Sequence, residues 1–258
     1  MRIGLMGAIE EEVALVRAEL ESSTVHQLGG RRYHQGRLHG CDVVLVFSRM
    51  GKVAAAATAA TLIDRYGVQA VIFSGVAGSA SADLNIGDIV VGRELVQHDL
   101  DARPLFPRFE VPLLGVSRFR PPASWLRAAV RAAREFARED LVASIGPAAA
   151  TAFGIRRPVA REGLIASGDR FIDDRAELGA IRRTLPGLLC VEMEGAAVAQ
   201  VCHEHRVPCV VIRAISDRAD HAAPVDYPRF IREVASHYSR GILRRLLPRC
   251  RNLKPLSG

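Results

Sequence analysis

No apolar stretch in the 258 residues reaches the roughly 18 that a membrane-spanning helix needs. The apolar start, Met1 to Gly7, soon meets Glu10, Glu11 and Glu12, so it has neither the length nor the flanks of a signal peptide. A membrane is not an expected partner. The five cysteines (Cys41, Cys190, Cys202, Cys209, Cys250) are odd in number, form no CxxC pair and sit mostly inside apolar runs, as reduced core thiols do. That usage leads us to expect a cytoplasmic setting. Clustered His/Cys ligands are missing as well, and His203-x-His205 reads as helix surface, so neither a metal nor an organic cofactor is expected. Linker-like segments, long low-complexity runs and repeats of 20–50 residues are also absent. One domain over 1–247 with a basic tail, 248–258, is the simplest division.

Lysine is nearly missing. Of 35 basic residues only Lys52 and Lys254 are lysines, and the arginines run through the whole chain. The net charge of +7 and pI near 9.6 invite a nucleic-acid reading, because clustered cations release counterions from phosphate backbones. The densest sets, Arg127/Arg131/Arg134/Arg138 and Arg244/Arg245/Arg249/Arg251, read instead as solvated helix faces, and no aromatic residues are interleaved to stack bases. Nucleic acid is therefore not expected as a partner. A basic, purely nucleic-acid-binding protein would explain the charge but not the acids described next.

What the sequence has is an alternation of apolar runs with helical patterns. Arg2–Gly7 predicts a strand, and residues 8–21 a helix with Val13, Val16 and Leu20 inward. Residues 31–38 and 42–47 predict a hairpin, 53–66 a helix closed by Gly67, and 70–73 a strand opening into the small-residue turn Ser74–Ala80. A strand begins near Ile86, and the Pro-rich segment 103–122 reads as irregular. A helix capped by Ser124 should cover 125–138, a loop 144–158, a strand 163–166 and a helix 175–184. Leu188–Val191 and 208–215 predict buried strands. The last helix, 228–247, presents Phe230, Val234, Tyr238, Ile242 and Leu246 every fourth residue. The fold class is α/β: a single three-layer sandwich, with a mixed central sheet flanked by helices.

Acids gather where strands end. Glu192 and Glu194 follow the strand at 188–191, Glu12 lies in the first turn after the opening strand, and Asp217 ends the run 208–215. In α/β proteins ligands bind on that rim. Glu192, Glu194 and the acids of the first turn have a plainer reading as helix-terminus carboxylates, which suffices for Glu10 and Glu11.

Six motifs in order carry a resemblance: Gly7–Val13 (GAIEEEV), Gly51–Ala55 (GKVAA), Gly87–Val91 (GDIVV), Ser167–Ile172 (SGDRFI), Val191–Glu194 (VEME) and Arg213–Asp217 (RAISD). Over roughly residues 1–247 the chain resembles the bacterial 5′-methylthioadenosine/S-adenosylhomocysteine nucleosidases. The resemblance implies a nucleoside phosphorylase-like fold, usually homodimeric and cofactor-free, that hydrolyses the N-glycosidic bond of an adenine nucleoside. It implies Glu12 as the base on water, Asp217 as the source of a proton for adenine N7, and Glu194 on the ribose hydroxyls. Phe171 would stack on adenine and Ile172 read its edge, Met193 would pack against the sugar, and Gly78, Ser216 and Arg213 would complete the substrate site.

The reaction asks for such residues independently: an acid for the leaving group, a base for water, and negative charge beside an oxocarbenium-like sugar. Two departures stand out. Val76 occupies a position where these nucleosidases often have Ser, and the segment 103–122 differs from the family's shorter loop, with Leu105, Phe106 and Phe109 as candidates for the 5′-substituent pocket. Tyr227 stands where the family has an aromatic lid. Within the same fold the alternatives are a phosphate-dependent phosphorylase, for which Arg49 and Arg213 would be the available cations, and a futalosine-type nucleosidase. The acidic first turn would repel a phosphate dianion and favours hydrolysis.

Overall fold

The structure, a computed structural model, describes residues 1–221 and 223–253. Its frame is one nine-stranded mixed sheet. Strands β1 (Arg2–Gly7), β4 (Cys41–Phe47), β5 (Ala70–Ser79) and β9 (Cys209–Asp217) run parallel, with β1 between β4 and β5 and β9 alongside β5. Beyond β4 the antiparallel pair β3 (Arg31–Leu38) and β2 (Glu21–Leu28) forms an outer edge. On the other flank come β8 (Leu188–Glu192), β7 (Ala160–Ser167) and β6 (Ile89–Gln97), and β6 pairs back onto β9. Strands β5, β8, β7, β6 and β9 therefore close into a ring.

Helices cover both faces because the central strands are apolar on both faces. Ile3, Leu5, Val43, Leu45, Ile72, Val210 and Ile212 bury on one side, under α1 (Glu10–Ala18), α3 (Ala123–Glu135) and α8 (Ser236–Cys250). Their neighbours Met6, Val44, Val46, Val71, Phe73 and Val211 bury on the other, under α2 (Lys52–Tyr66) and α6 (Gly195–Glu204). The period of two thus splits each run between two cores, as in buried parallel strands. A smaller cluster packs α5 (Arg175–Thr184) against Val96, Leu164 and Ala166.

The end of the chain is one long helical rod: α7 (Ala223–Phe230), a π-helical turn (Ile231–Ala235), then α8. Phe230, Val234, Tyr238, Ile242 and Leu246 are all buried, as their spacing predicts. The rod runs past 247 to Cys250, which is also buried, while residues 254–258 of the expected tail, including Lys254, lie outside the described residues.

Several elements differ from the expectation. The first helix, expected to reach residue 21, stops at Ala18, and residues 21–28 form β2, a strand not expected from the sequence. Every residue of β2 is exposed, so no apolar alternation marks it. The strand β5 continues to Ser79 through what reads as a small-residue turn. Ser124 lies inside α3, with Pro122 at the cap position. A π-helical turn (Phe136–Asp140) then leads into α4 (Leu141–Ala152), which takes up 144–152 of the expected loop, and the chain is irregular only from 153; within α4 the break is confined to Gly146, at φ 82°, before Pro147 restarts the helix.

The two arginine sets face each other across α3 and α8 and share carboxylates. Arg245 reaches Glu135 (3.2 Å), Glu139 (2.9 Å) and Asp140 (2.5 Å), and Arg249 and Arg131 reach Glu135 (2.6 and 2.9 Å). Much of the charge that invites a nucleic-acid reading is paired within the fold.

The rod's buried stripe yields a test. Ile242→Ala removes three carbons from a site 1% exposed and should cost about 2–5 kcal/mol in urea unfolding. Arg127→Ala, on the solvent side of α3, should stay within about 0.5 kcal/mol.

Candidate active site

One pocket, about 530 Å3 including its open mouth, lies where β1, β5, β8 and β9 end. Glu12, Gly78, Phe171, Ile172, Met193, Glu194, Ser216 and Asp217 all line it, together with Met50, Val76 and Tyr227. Eight of the nine expected site residues are brought together although they lie up to 205 positions apart, because neighbouring strands deliver them to one rim.

Glu12 is the only acid of its triplet that turns inward. Glu11 is exposed, and Glu10 pairs with Arg17 and, at 3.5 Å, with Arg32, whereas Glu12 is 2% exposed. Its Oε2 accepts the Ala8 N–H at 2.6 Å and the Ile9 N–H at 3.3 Å, and its Oε1 accepts the Val76 N–H at 3.1 Å. The helix-terminus role and the pocket role therefore coexist in one side chain. Burial pushes the Glu12 carboxyl above its ordinary range, while the Arg213 guanidinium and the three amides pull the other way. Gly75 is what lets β5 pass so near: a Cβ there would lie 2.7 Å from Glu12 Oε1 and 3.1 Å from Arg213 Nη1.

Arg213, expected among the substrate-binding residues, sits one layer deeper and is not part of the lining. It is 1% exposed, lies 4.1 Å above the Phe73 ring centroid, and donates to Glu192 Oε2 from Nη2 (2.6 Å) and Nε (3.1 Å). Glu194 Oε2 is 3.9 Å from the same Nη2. Glu192, left without a chemical role by the sequence, lines the pocket floor and proves to be its hub. It accepts the N–H of Gly195 (2.8 Å) and Glu194 (3.2 Å) at the start of α6 and the Ser167 hydroxyl, whose oxygen in turn accepts the Ala196 N–H at 2.7 Å. The plain reading of an acid at a helix start holds for Glu192 and not for Glu194.

Glu194 turns into the pocket and accepts the Gly51 N–H at 2.9 Å. Burial, then the neighbouring Glu192 carboxylate, pushes it up to about 8 against the pull of Arg213 and Gly51. Asp217 accepts the Ser216 hydroxyl at 2.7 Å and the Ala219 N–H at 2.8 Å. Burial raises its carboxyl too, against those two hydrogen bonds. Gly78 faces Asp217 so closely that a Cβ would lie 2.8 Å from Oδ1. Asp220, three residues on, is tied to Arg175 at 2.9 Å and lies outside the lining.

The apolar wall is Phe171 and Tyr227, in edge-to-face contact at 5.5 Å, with Met50 3.8 Å from the Tyr227 hydroxyl. Leu105, Phe106 and Phe109 do not line this chain's pocket; Phe109 packs instead on the cluster under α5, and Leu105 is 83% exposed. Arg49, the other cation considered for phosphate, is exposed and donates to the Gly30 carbonyl at 2.9 Å. Among the described residues no group of three or more His, Cys, Asp or Glu is placed to hold a metal ion.

The family follows from comparison with known proteins. The phosphorylase superfamily model matches residues 2–248. A 5′-methylthioadenosine/S-adenosylhomocysteine nucleosidase of Anoxybacillus flavithermus is 38% identical over 239 residues, 93% of this chain and 95% of the relative. The nucleosidase of the same name from Neisseria meningitidis, solved with methylthio-immucillin-A, superposes with a TM-score of 0.84 at 33% identity, covering 95% of this chain and 98% of that one. Futalosine hydrolase of Helicobacter pylori gives 0.81 at 31% identity, over 96% and 98% of the two chains. With a family model over nearly its whole length and relatives above 30% identity over nine-tenths of it, the chain belongs to the phosphorylase superfamily and, within it, to the 5′-methylthioadenosine/S-adenosylhomocysteine nucleosidases.

Proposed function

We propose that the chain hydrolyses the N-glycosidic bond of 5′-methylthioadenosine and S-adenosylhomocysteine, releasing adenine and the 5-substituted ribose. The observation that carries this reading is the convergence of three buried carboxyl groups, Glu12, Glu194 and Asp217, on one pocket walled by Phe171 and Tyr227. Adenine stacks on Phe171, with its N7 towards Asp217. As the C1′–N9 bond breaks, its electron pair passes to the purine and Asp217 supplies a proton to N7, so that the base leaves neutral. The upward shift of Asp217 keeps that proton available closer to neutral pH than an ordinary Asp would. A water molecule attacks C1′ and gives its proton to Glu12, whose shift brings a carboxylate closer to the pH at which a general base works best. Glu194 accepts hydrogen bonds from the ribose hydroxyls, which favour its ionised form against the upward push of burial, and so places negative charge beside the oxocarbenium-like sugar.

Hydrolysis is favoured over phosphorolysis because the cations a phosphate would need are committed elsewhere. Arg213 is bonded to Glu192, and Arg49 points to a main-chain carbonyl. Arg170, the cation in the lining, is three-quarters exposed and paired with Glu177 at 3.0 Å. A futalosine-type substrate is the second reading, supported by the structural likeness to futalosine hydrolase. The working form is a homodimer in the cytoplasm. Exposed apolar side chains, Met50 at the pocket and Val53, Leu105 and Leu113 beyond it, support the dimer, and five buried, unpaired cysteines support the reducing compartment.

Product analysis tests the reading. Adenine should appear together with a reducing 5-substituted ribose at a rate independent of added phosphate; a sugar 1-phosphate that forms only when phosphate is supplied would overturn it.

Asp217→Asn keeps the shape and a hydrogen-bonding side chain but has no proton to transfer. Turnover should fall by about 10²-fold or more with analogue affinity nearly kept, as for an interaction made in the transition state. Asp220→Asn, outside the pocket, should lose far less. Near-normal kcat in the Asp217 variant, or equal loss in both, would show that the acid has been misplaced.

A further inference from the structure

Glu194 and Phe171 belong to segments that meet outside the pocket through a set of charges the mechanism does not use. At the entry to α2, Gly51 gives its N–H to Glu194 Oε1 (2.9 Å), and the next residue, Lys52, gives its N–H to Asp169 Oδ1 (2.8 Å). Asp169 lies two residues before Phe171 and gives its own N–H to Asp99 Oδ2 (2.9 Å), at the end of β6. The Lys52 ammonium closes the circuit, 2.6 Å from Asp99 Oδ1 and 3.8 Å from Asp169 Oδ2.

Three separate segments (50–52, 98–99 and 167–172) are thereby held to one another. Two of them carry pocket residues: Met50 in the first, Phe171 and Ile172 in the last. Lys52 is 16% exposed at its side chain, well shielded for a lysine. In a chain whose basic residues are arginine at every other position but Lys254, a lysine stands here. The single nitrogen of a lysine carries three donors that two carboxylates can share, as Asp99 and Asp169 do here, whereas a planar guanidinium pairs as a fork with one carboxylate.

We infer that Lys52, Asp99 and Asp169 are positioning residues of the catalytic site, a charge clamp that fixes the Gly51 amide on Glu194 and holds the Phe171 segment against it. None of the three lines the pocket, so the clamp acts through Gly51 and Phe171. Asp99 fits the part: burial would raise its carboxyl, but the hydrogen bonds from Lys52 and from the Asp169 amide hold it below the ordinary range, so Asp99 stays charged at neutral pH. Removing the ammonium leaves Asp99 and Asp169 facing each other as like charges, which separates the segments and withdraws the Gly51 N–H from Glu194.

This inference rests on the nucleosidase reading for its kinetic consequence, and its test includes a readout that needs no turnover. Hydrogen exchange of the Gly51 and Asp169 amides, thermal melting, and kcat and KM for 5′-methylthioadenosine across pH are measured on the full chain for the wild type, Lys52→Met, Lys52→Arg and Asp99→Asn. In Lys52→Met and Asp99→Asn both amides should exchange about 10-fold faster or more. Their kcat should drop by about 10- to 100-fold, the scale of a misplacement near 1 Å. The pH–rate limb that reports Glu194 should move to higher pH, because a donor to its charged form is lost. Lys52→Arg should fall between these and the wild type.

Lys52→Met with exchange and kcat within twofold of the wild type overturns the clamp. So does a kcat that falls only in step with the melting temperature, with the Gly51 exchange rate and the pH profile unmoved. A wild-type chain that protects Gly51 yet releases no adenine counts against the nucleosidase reading and leaves the clamp standing on its exchange data.

Discussion

The pocket depends on one buried cation. Arg213 lies under the floor with Glu192 bonded to it, Glu194 beside it and Glu12 close across Gly75. Bringing three carboxylates out of water into one strand rim is prohibitive without a compensating charge, and a guanidinium is the side chain that cannot escape by losing its proton. Phe73 supplies the face on which it rests. Glu192 is bonded to the amides that start α6 and to the hydroxyl that ends β7, so the same ion pair also fixes the turn from which Glu194 projects. Floor, helix start and the pocket carboxyl of Glu194 thus form one unit.

The three pocket acids share a direction of shift. Each is raised first by burial, and what differs is the opposition. Glu12 has Arg213 and three amides, Glu194 has Arg213 and the Gly51 amide, and Asp217 has only a hydroxyl and one amide. The acid assigned to protonate the base is the one without a cation among its opposing partners. The site is thereby a standing cost to folding. A carboxyl raised in the folded state contributes stability at low pH that is lost as pH rises through its folded value, and for Glu194 that window runs from the ordinary carboxylate range up to about 8.

The parts of the fold legible in the sequence were those whose signal is local. The helix at 175–184 has Asp174 to cap it and an apolar stripe, and the rod's i, i+4 stripe ran unbroken from Phe230 to Leu246 through a π turn. The missed β2 pairs with β3 and has no buried face to leave a trace in residue type. At Gly146-Pro147 two helix breakers mark a real break, but it is one residue wide, and the irregular chain expected there begins only at 153. The strand through Gly75 and Gly78 looked like a ligand-binding turn because its small residues do admit close neighbours; those neighbours are Glu12, Arg213 and Asp217 of the same chain. Motif order located the pocket acids, whereas the depth of Arg213 and the hub role of Glu192 arise from strands brought together across the sheet. Nothing within a few residues of either position encodes that.

The claim that Arg213 carries the site is tested most directly by unfolding Arg213→Met in urea at pH 5 and pH 8 beside the wild type. Without the cation the folded carboxyls rise further and take up protons when the pH is low enough to supply them, so the variant is partly rescued in acid. The account predicts a loss of about 3–5 kcal/mol at pH 8 that shrinks clearly at pH 5. A loss of equal size at both pH values would mean that Arg213 fills space beneath the pocket and does not hold its charges.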